Sequence, residues 1–163
     1  MPNVILKKLS SNFTGSIPCT KKTCFSQFTV SDSISAPFDS FNNKCIDGNK
    51  LDLIIDGASF VDSICENSFE GQNLTGKKLI IIGHFESKIF CHYSNNHKKC
   101  FTINKKLPFS TFIVVPLDIC IDATINLSYY IEDITVAVLV KGKIFVAVSL
   151  LLKYENEYIL EQL

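Results

Sequence analysis

The sequence predicts an all-β fold, an antiparallel sandwich or partly open barrel with an extended N-terminal arm. Three observations lead there. Short apolar runs recur between clusters of Gly, Pro, Asn and Asp. The clearest run, Leu79 to Tyr93, alternates with period two. The last two runs, Ile134–Val140 and Ile144–Tyr154, are β-branched and apolar on both faces, as buried strands are.

Taken in order, residues 1–24 read as the arm. Val4-Ile5-Leu6 is a short apolar patch, followed by Lys, Ser, Asn, Gly and Pro, with Cys19 and Cys24 bracketing Thr20-Lys21-Lys22-Thr23. Residues 25–155 read as one β domain and 156–163 as a tail. Phe25–Val30 is its first strand and leads to Ser35-Ala36-Pro37. Phe38–Lys50 reads as loop, with Asp47-Gly48-Asn49 as a turn near its end. Leu51–Ile55 is a strand that stops at Asp56-Gly57, and Ala58–Phe69 is a weaker segment, strand or helical turn. Gly71–Gly76 is a turn. Within Leu79–Tyr93 the odd positions, among them Leu79, Ile81, Phe85, Ile89 and Cys91, form the apolar face. Phe101–Lys106, Thr111–Val115 and Asp118–Tyr130 are further strands, and Lys141-Gly142 turns the final hairpin.

Composition narrows the function. At 163 residues the chain fits one domain plus an arm. A domain of this size buries roughly 70% of its unfolded surface and needs no metal or disulfide to stand. Hydrophobic residues make up 47% and mean hydropathy is +0.23. The longest apolar stretch, Ile134–Leu152, is interrupted at Lys141-Gly142-Lys143, so neither half reaches the roughly 20 residues of a membrane-spanning helix. Residues 1–30 lack a signal-peptide pattern. Net charge is zero and all 16 basic residues are lysine. Without arginine for bidentate phosphate and base contacts, nucleic acid is not an expected partner.

The seven cysteines are Cys19, Cys24, Cys45, Cys65, Cys91, Cys100 and Cys120. An odd number cannot pair fully within one chain: either one thiol stays free or some bonds run between chains. The alternative is reduced, buried thiols acting as small hydrophobes. Around Ser94-Asn95-Asn96-His97, a two-residue Asn95-Asn96 turn pairs Cys91 with Cys100 as a non-hydrogen-bonded couple, Cα atoms roughly 4.5 Å apart. That separation is at the short end of the disulfide range. The same register puts Phe101 and Ile103 on the polar face, unless that face is covered or a bulge shifts the return strand. It also sends His92 and His97 to the face opposite the cysteines, which argues against a zinc site despite the Cys-His-x4-His-x2-Cys spacing.

Catalytic motifs are missing. The sequence has no Gly-rich phosphate loop, no G-x-S-x-G elbow and no H-E-x-x-H, and its carboxylates have no recognisable pair spacing. A cysteine–histidine pair drawn from Cys91, Cys100, His84, His92 and His97 lacks an oxyanion motif and a positioning acid. Neither an enzyme nor a cofactor is expected.

Two stretches together carry a family pattern. One is Gly76-Lys77-Lys78-Leu79-Ile80-Ile81-Ile82-Gly83-His84-Phe85-Glu86. The other is Lys105-Lys106-Leu107-Pro108-Phe109-Ser110-Thr111-Phe112-Ile113-Val114-Val115-Pro116. They resemble the SPOCS domain of spore-coat and exosporium proteins of clostridia and bacilli. Phe28–Pro37 is similar to that domain's opening strand, and Ile131–Leu152 to its closing hairpin. The resemblance implies an all-β, non-enzymatic domain used for protein–protein association in spore envelopes. With the cysteine count it leads to an expected function: a self-assembling structural protein of the spore surface, lattice or filament, stabilised by disulfides. On that reading the chain is made without a signal peptide in the mother-cell cytoplasm. Homo-oligomers form through β edges and through Val4, Ile5 and Leu6, which reach a neighbouring subunit; the arm's alternative place is an edge strand of its own domain. Other coat proteins are further partners. The alternative function is a soluble binding module that recruits another spore protein through an exposed strand edge.

Overall fold

The computed structural model describes residues 3–9, 23–37, 41–67, 73–93, 96–119, 124–139 and 142–155. The expected tail 156–163 lies outside them, as do Cys19 and Cys120. The strands are β1 (Val4–Lys8), β2 (Cys24–Ser35), β3 (Ile46–Asn67), β4 (Asn73–Tyr93), β5 (Asn96–Val114), β6 (Ile125–Leu139) and β7 (Lys143–Tyr154), with a short 3-10 turn at Asn43–Cys45. They form a four-stranded sheet ordered β1-β6-β7-β2 and a three-stranded sheet ordered β3-β4-β5. The fold is therefore an all-β sandwich, and the described strands close no barrel.

The core lies between the central strands. On β4 the odd-numbered Leu79, Ile81, Phe85, Ile89 and Cys91 are fully buried. On β7 Ile144, Val146, Val148, Leu150 and Leu152 are fully buried from the opposite sheet. Each such aliphatic or aromatic side chain contributes about 1.5–3 kcal/mol. Gly83 lies in the same inward row of β4. A Cβ there would stand 2.5 Å from the Ile54 carbonyl oxygen and 2.9 Å from Phe109 Cζ. Its absence lets the Phe109 ring lie flat against β4, between Phe28 (centroids 5.1 Å apart) and Phe85 (5.3 Å).

Several elements are longer than the sequence reading has them, and bulges explain why. Asp47-Gly48 and Asp56-Gly57 do not end strands: β3 runs through both, with register shifts between Ile46 and Gly48 and between Ile55 and Gly57. Each shift leaves the aspartate as the extra residue, and each aspartate holds a β4 histidine. Asp47 Oδ1 is 2.8 Å from His92 Nδ1, and Asp56 Oδ2 is 2.7 Å from His84 Nδ1. Because a bulge changes which parity faces inward, Leu51, Leu53 and Ile55 before the second bulge and Ala58 and Phe60 after it all reach the core. In β6 the shift between Ile131 and Asp133 does the same, joining two expected strands into one. β5 also runs unbroken through Pro108, which is tolerated because β5 is an edge strand.

The expected pairing of Cys91 with Cys100 is corrected by the same device. A shift beside Tyr93 pairs it with Asn96, then His92 with Cys100 and Cys91 with Phe101. Phe101 and Ile103 thereby join the inward face, and this favours the observed register over the expected one. Cys91 is buried and Cys100 exposed.

On one side the two sheets are latched by side chains from their edge strands, β2 and β5. Ser26 Oγ and Thr111 Oγ1 are 2.7 Å apart, and Lys105 Nζ lies 2.5 Å from Asp32 Oδ2. The hydrogen bond from Lys105, then that from the Ser33 backbone N–H, holds the Asp32 carboxyl below its ordinary value. At the foot of β6, Glu155 is pushed up by partial burial. Donation from Ser128 Oγ, at 2.6 Å, and from Lys153 outweighs this and leaves the carboxyl lowered.

Two outcomes follow from this packing. Gly83→Ala should destabilise the domain by about 1–3 kcal/mol, because the new methyl meets backbone as well as the Phe109 ring. Thermal unfolding should then show a melting temperature lower by several degrees, roughly 2–4 °C per kcal/mol. A carboxyl with a lowered folded-state pKa stabilises above its unfolded value and loses that contribution as pH falls through the folded one. Melting temperature should therefore fall on acidification below about pH 4, and Asp32→Asn should flatten that dependence.

Candidate interaction edges and the cysteines

The cysteines are distributed over both faces of the sandwich. Cys24 is half-buried at the start of β2, Cys45 and Cys91 are buried, and Cys65 and Cys100 are exposed on β3 and β5. None of these five is in a disulfide. Burial, and then the charges of Asp47 and Cys45, pushes the Cys91 thiol up to about 11. Burial also raises Cys24. Such thiols stay protonated at neutral pH and pack as small hydrophobes; Cys91 Sγ donates weakly to the Ile89 carbonyl at 3.7 Å.

His84 and His92 are engaged by carboxylates. His84 Nδ1 bonds Asp56, its Nε2 lies 3.8 Å from Glu86 Oε1, and that Nε2 is buried without a hydrogen bond. His92 bonds Asp47. Among the described residues no three His, Cys, Asp or Glu side chains converge as a metal site would require.

What the fold leaves accessible is sheet edge. With the β2–β5 side latched, the opposite side presents β3 from one sheet and β1 and β6 from the other. β3 exposes Ile54, Val61 and Ile64. Val4 and Leu6 on β1 pack against the core while Ile5 is exposed. β1 pairs in parallel with only part of β6, from Ile125 to Tyr129. No helix among the described residues is long and apolar enough to cross a membrane.

Residues 60–139, from the second half of β3 to the end of β6, match the family model described as SipL, SPOCS domain. Over this stretch the chain is similar to the SPOCS domain family. No curated protein and no solved structure matches the chain. The matched module is a non-catalytic structural and morphogenetic one. The match supports association with the spore surface and a part in coat morphogenesis.

The expectation of a disulfide-stabilised assembly is corrected. The described cysteines carry thiols, and the register that separates Cys91 from Cys100 removes the one pairing the sequence singled out. The odd cysteine count misled because it constrains pairing only if the cysteines are oxidised at all. The Asp–His pairs escaped sequence reasoning. The Asp-Gly dipeptides were their trace, and these read equally well as turns.

Alkylation followed by mass spectrometry should modify Cys65 and Cys100 readily in the native chain. Cys91 should resist until the protein is unfolded or the pH approaches about 11.

Proposed function

We propose that this chain is a binding module of the spore coat that recruits another spore protein through an exposed strand edge. One observation carries the reading: side-chain contacts close the sandwich between β2 and β5, while on its other side no described strand pairs with the outer edge of β3. Uncovered backbone N–H and C=O groups are a template for a further strand. The family match supplies the setting. On this reading residues 25–155 are the binding unit. Val4, Ile5 and Leu6 extend its docking edge, and the chain is made in the mother cell before it joins the spore surface.

Proline variants at the edges test this. Ile64→Pro on β3 and Val136→Pro on β6 each remove an edge N–H, whereas Lys88→Gln alters an exposed face residue of the central strand β4. In sporulating cells producing a fluorescent fusion, at least one edge proline should abolish the coat signal and Lys88→Gln should not. Circular dichroism should show all three folded. A wild-type coat signal from both proline variants would refute recruitment through these edges.

A further inference from the structure

We propose that the outer face of the three-stranded sheet, around Ile80, Ile82 and Phe112, is a docking platform for an amphipathic helix of another protein that carries an acidic residue beside its apolar stripe. This surface is a sheet face rather than a strand edge. It goes beyond the edge reading and does not rest on it.

Half of this face is built like a covered one. A sheet face turned to water carries polar side chains, alternating with the inward row. Past His84 the outward residues of β4 obey that rule: Glu86 lies between Asp52 and Lys106, and Lys88 between Lys50 and Asn104. Before His84 they break it. Ile82 lies between Gly57 and Ser110, Ile80 between Ser59 and Phe112, and His84 itself between Ile54 and Pro108. From Leu79 to Ile82 β4 is therefore apolar on both faces, the pattern of a strand buried on both sides. Yet Ile82 and Phe112 are 53% and 48% exposed, and Ile54 and Val61 are exposed as well. Nothing stands within 4 Å of where a Gly57 Cβ would lie, so the space beside Ile82 is open. A cluster of this kind marks an interaction surface.

Size selects the occupant. Four cross-strand rows, from Val61–Lys78–Val114 to Ile54–His84–Pro108, extend about 20 Å along the strands and about 10 Å across them. That footprint, roughly 200 Å², is far below the about 800 Å² per partner that a stable pairing of folded surfaces buries. A face-to-face dimer is therefore a poor match. One helix fits, at about 10 Å in diameter and about 13 residues for 20 Å of length.

Charge sets its polarity. Lys78 Nζ stands 4.5 Å from the centre of the Phe112 ring, at one end of the apolar rows. It forms no ion pair with a described carboxylate. The carboxylates toward the other end are already engaged: Asp52 by Lys50 at 3.1 Å, Glu86 by Lys106 at 3.4 Å and Asp56 by His84 at 2.7 Å. What remains to be matched is one cation bordering apolar surface. A helix laid along the strands meets it with an acidic side chain, or with the negative end of its dipole at the C-terminus.

The test uses the full chain and two synthetic amphipathic Ala–Leu helices of about 14 residues. They differ at one position beside the Leu stripe near the C-terminus, Glu in one and Lys in the other. Isotope-edited NMR should show the Glu peptide shifting the signals of Ile80, Ile82 and Phe112, with an affinity about threefold or more above that of the Lys peptide. Lys78→Glu should reverse the preference. Ile82→Lys should weaken both peptides about tenfold with an unchanged circular-dichroism spectrum; if that variant does not fold, the Lys78→Glu reversal decides alone. Val136→Pro, in the other sheet, should leave the affinity unchanged, so this proposal and recruitment through an edge fail separately. Binding of neither peptide, shifts centred elsewhere, or equal affinities that Lys78→Glu does not alter would each overturn the proposal. So would nuclear Overhauser contacts in the free chain between Ile82 or Phe112 and another segment of the same chain, which would make the occupant internal. A dimer of the peptide-free chain that dissociates on Ile82→Lys would overturn it too, with a second copy as the occupant.

Discussion

Leu79, Ile81, Phe85, Ile89 and Cys91 face inward from β4, and both neighbouring strands adjust to keep apolar side chains opposite that row. Ala58 meets Ile81, Leu53 meets Phe85, Ile103 meets Ile89 and Phe101 meets Cys91. A slip of one residue would turn an entire strand's apolar set to water, so register is the strongest constraint on this sheet. Gly83 interrupts the row only to admit the Phe109 ring, which ties β4 and β5 to Phe28 of the opposite sheet.

Bulges are how long strands meet that constraint. β3 is 22 residues long and its apolar residues do not keep one parity. The extra residues Asp47 and Asp56 restore the inward face and also turn toward histidines of β4, so the polar by-product of the correction is itself hydrogen-bonded. In β6 the extra residue is Glu132, whose carboxylate accepts from Gln27 of β2 across β7. The same local device thus ties β3 to β4 in one sheet and β6 to β2 in the other.

The asymmetry of the sandwich follows. Where β2 and β5 meet, short polar side chains and one ion pair cross the gap. On the other side, among the described residues, β1 pairs with β6 from Ile125 to Tyr129, and Asn43 Oδ1 accepts the Val138 N–H. The buried thiols serve packing, and none of those described is spent on a covalent staple.

The sequence by itself determined the all-β class, the alternating inward face of β4, the Lys141-Gly142 hairpin and, through Lys105–Pro116 and Gly76–Glu86, the resemblance to the SPOCS domain. These are local: period-two apolar spacing, turn residues and a contiguous motif need no partner strand to be read. Tertiary structure alone decided that β3 continues through two Asp-Gly pairs, that Cys91 and Cys100 occupy opposite faces, and that β1 docks in parallel along the first part of β6. A bulge is a compromise between two strands, and its parity change is visible only once the partner's inward row is known. Whether an edge is covered depends in turn on where a distant strand stops, which no single stretch of sequence contains.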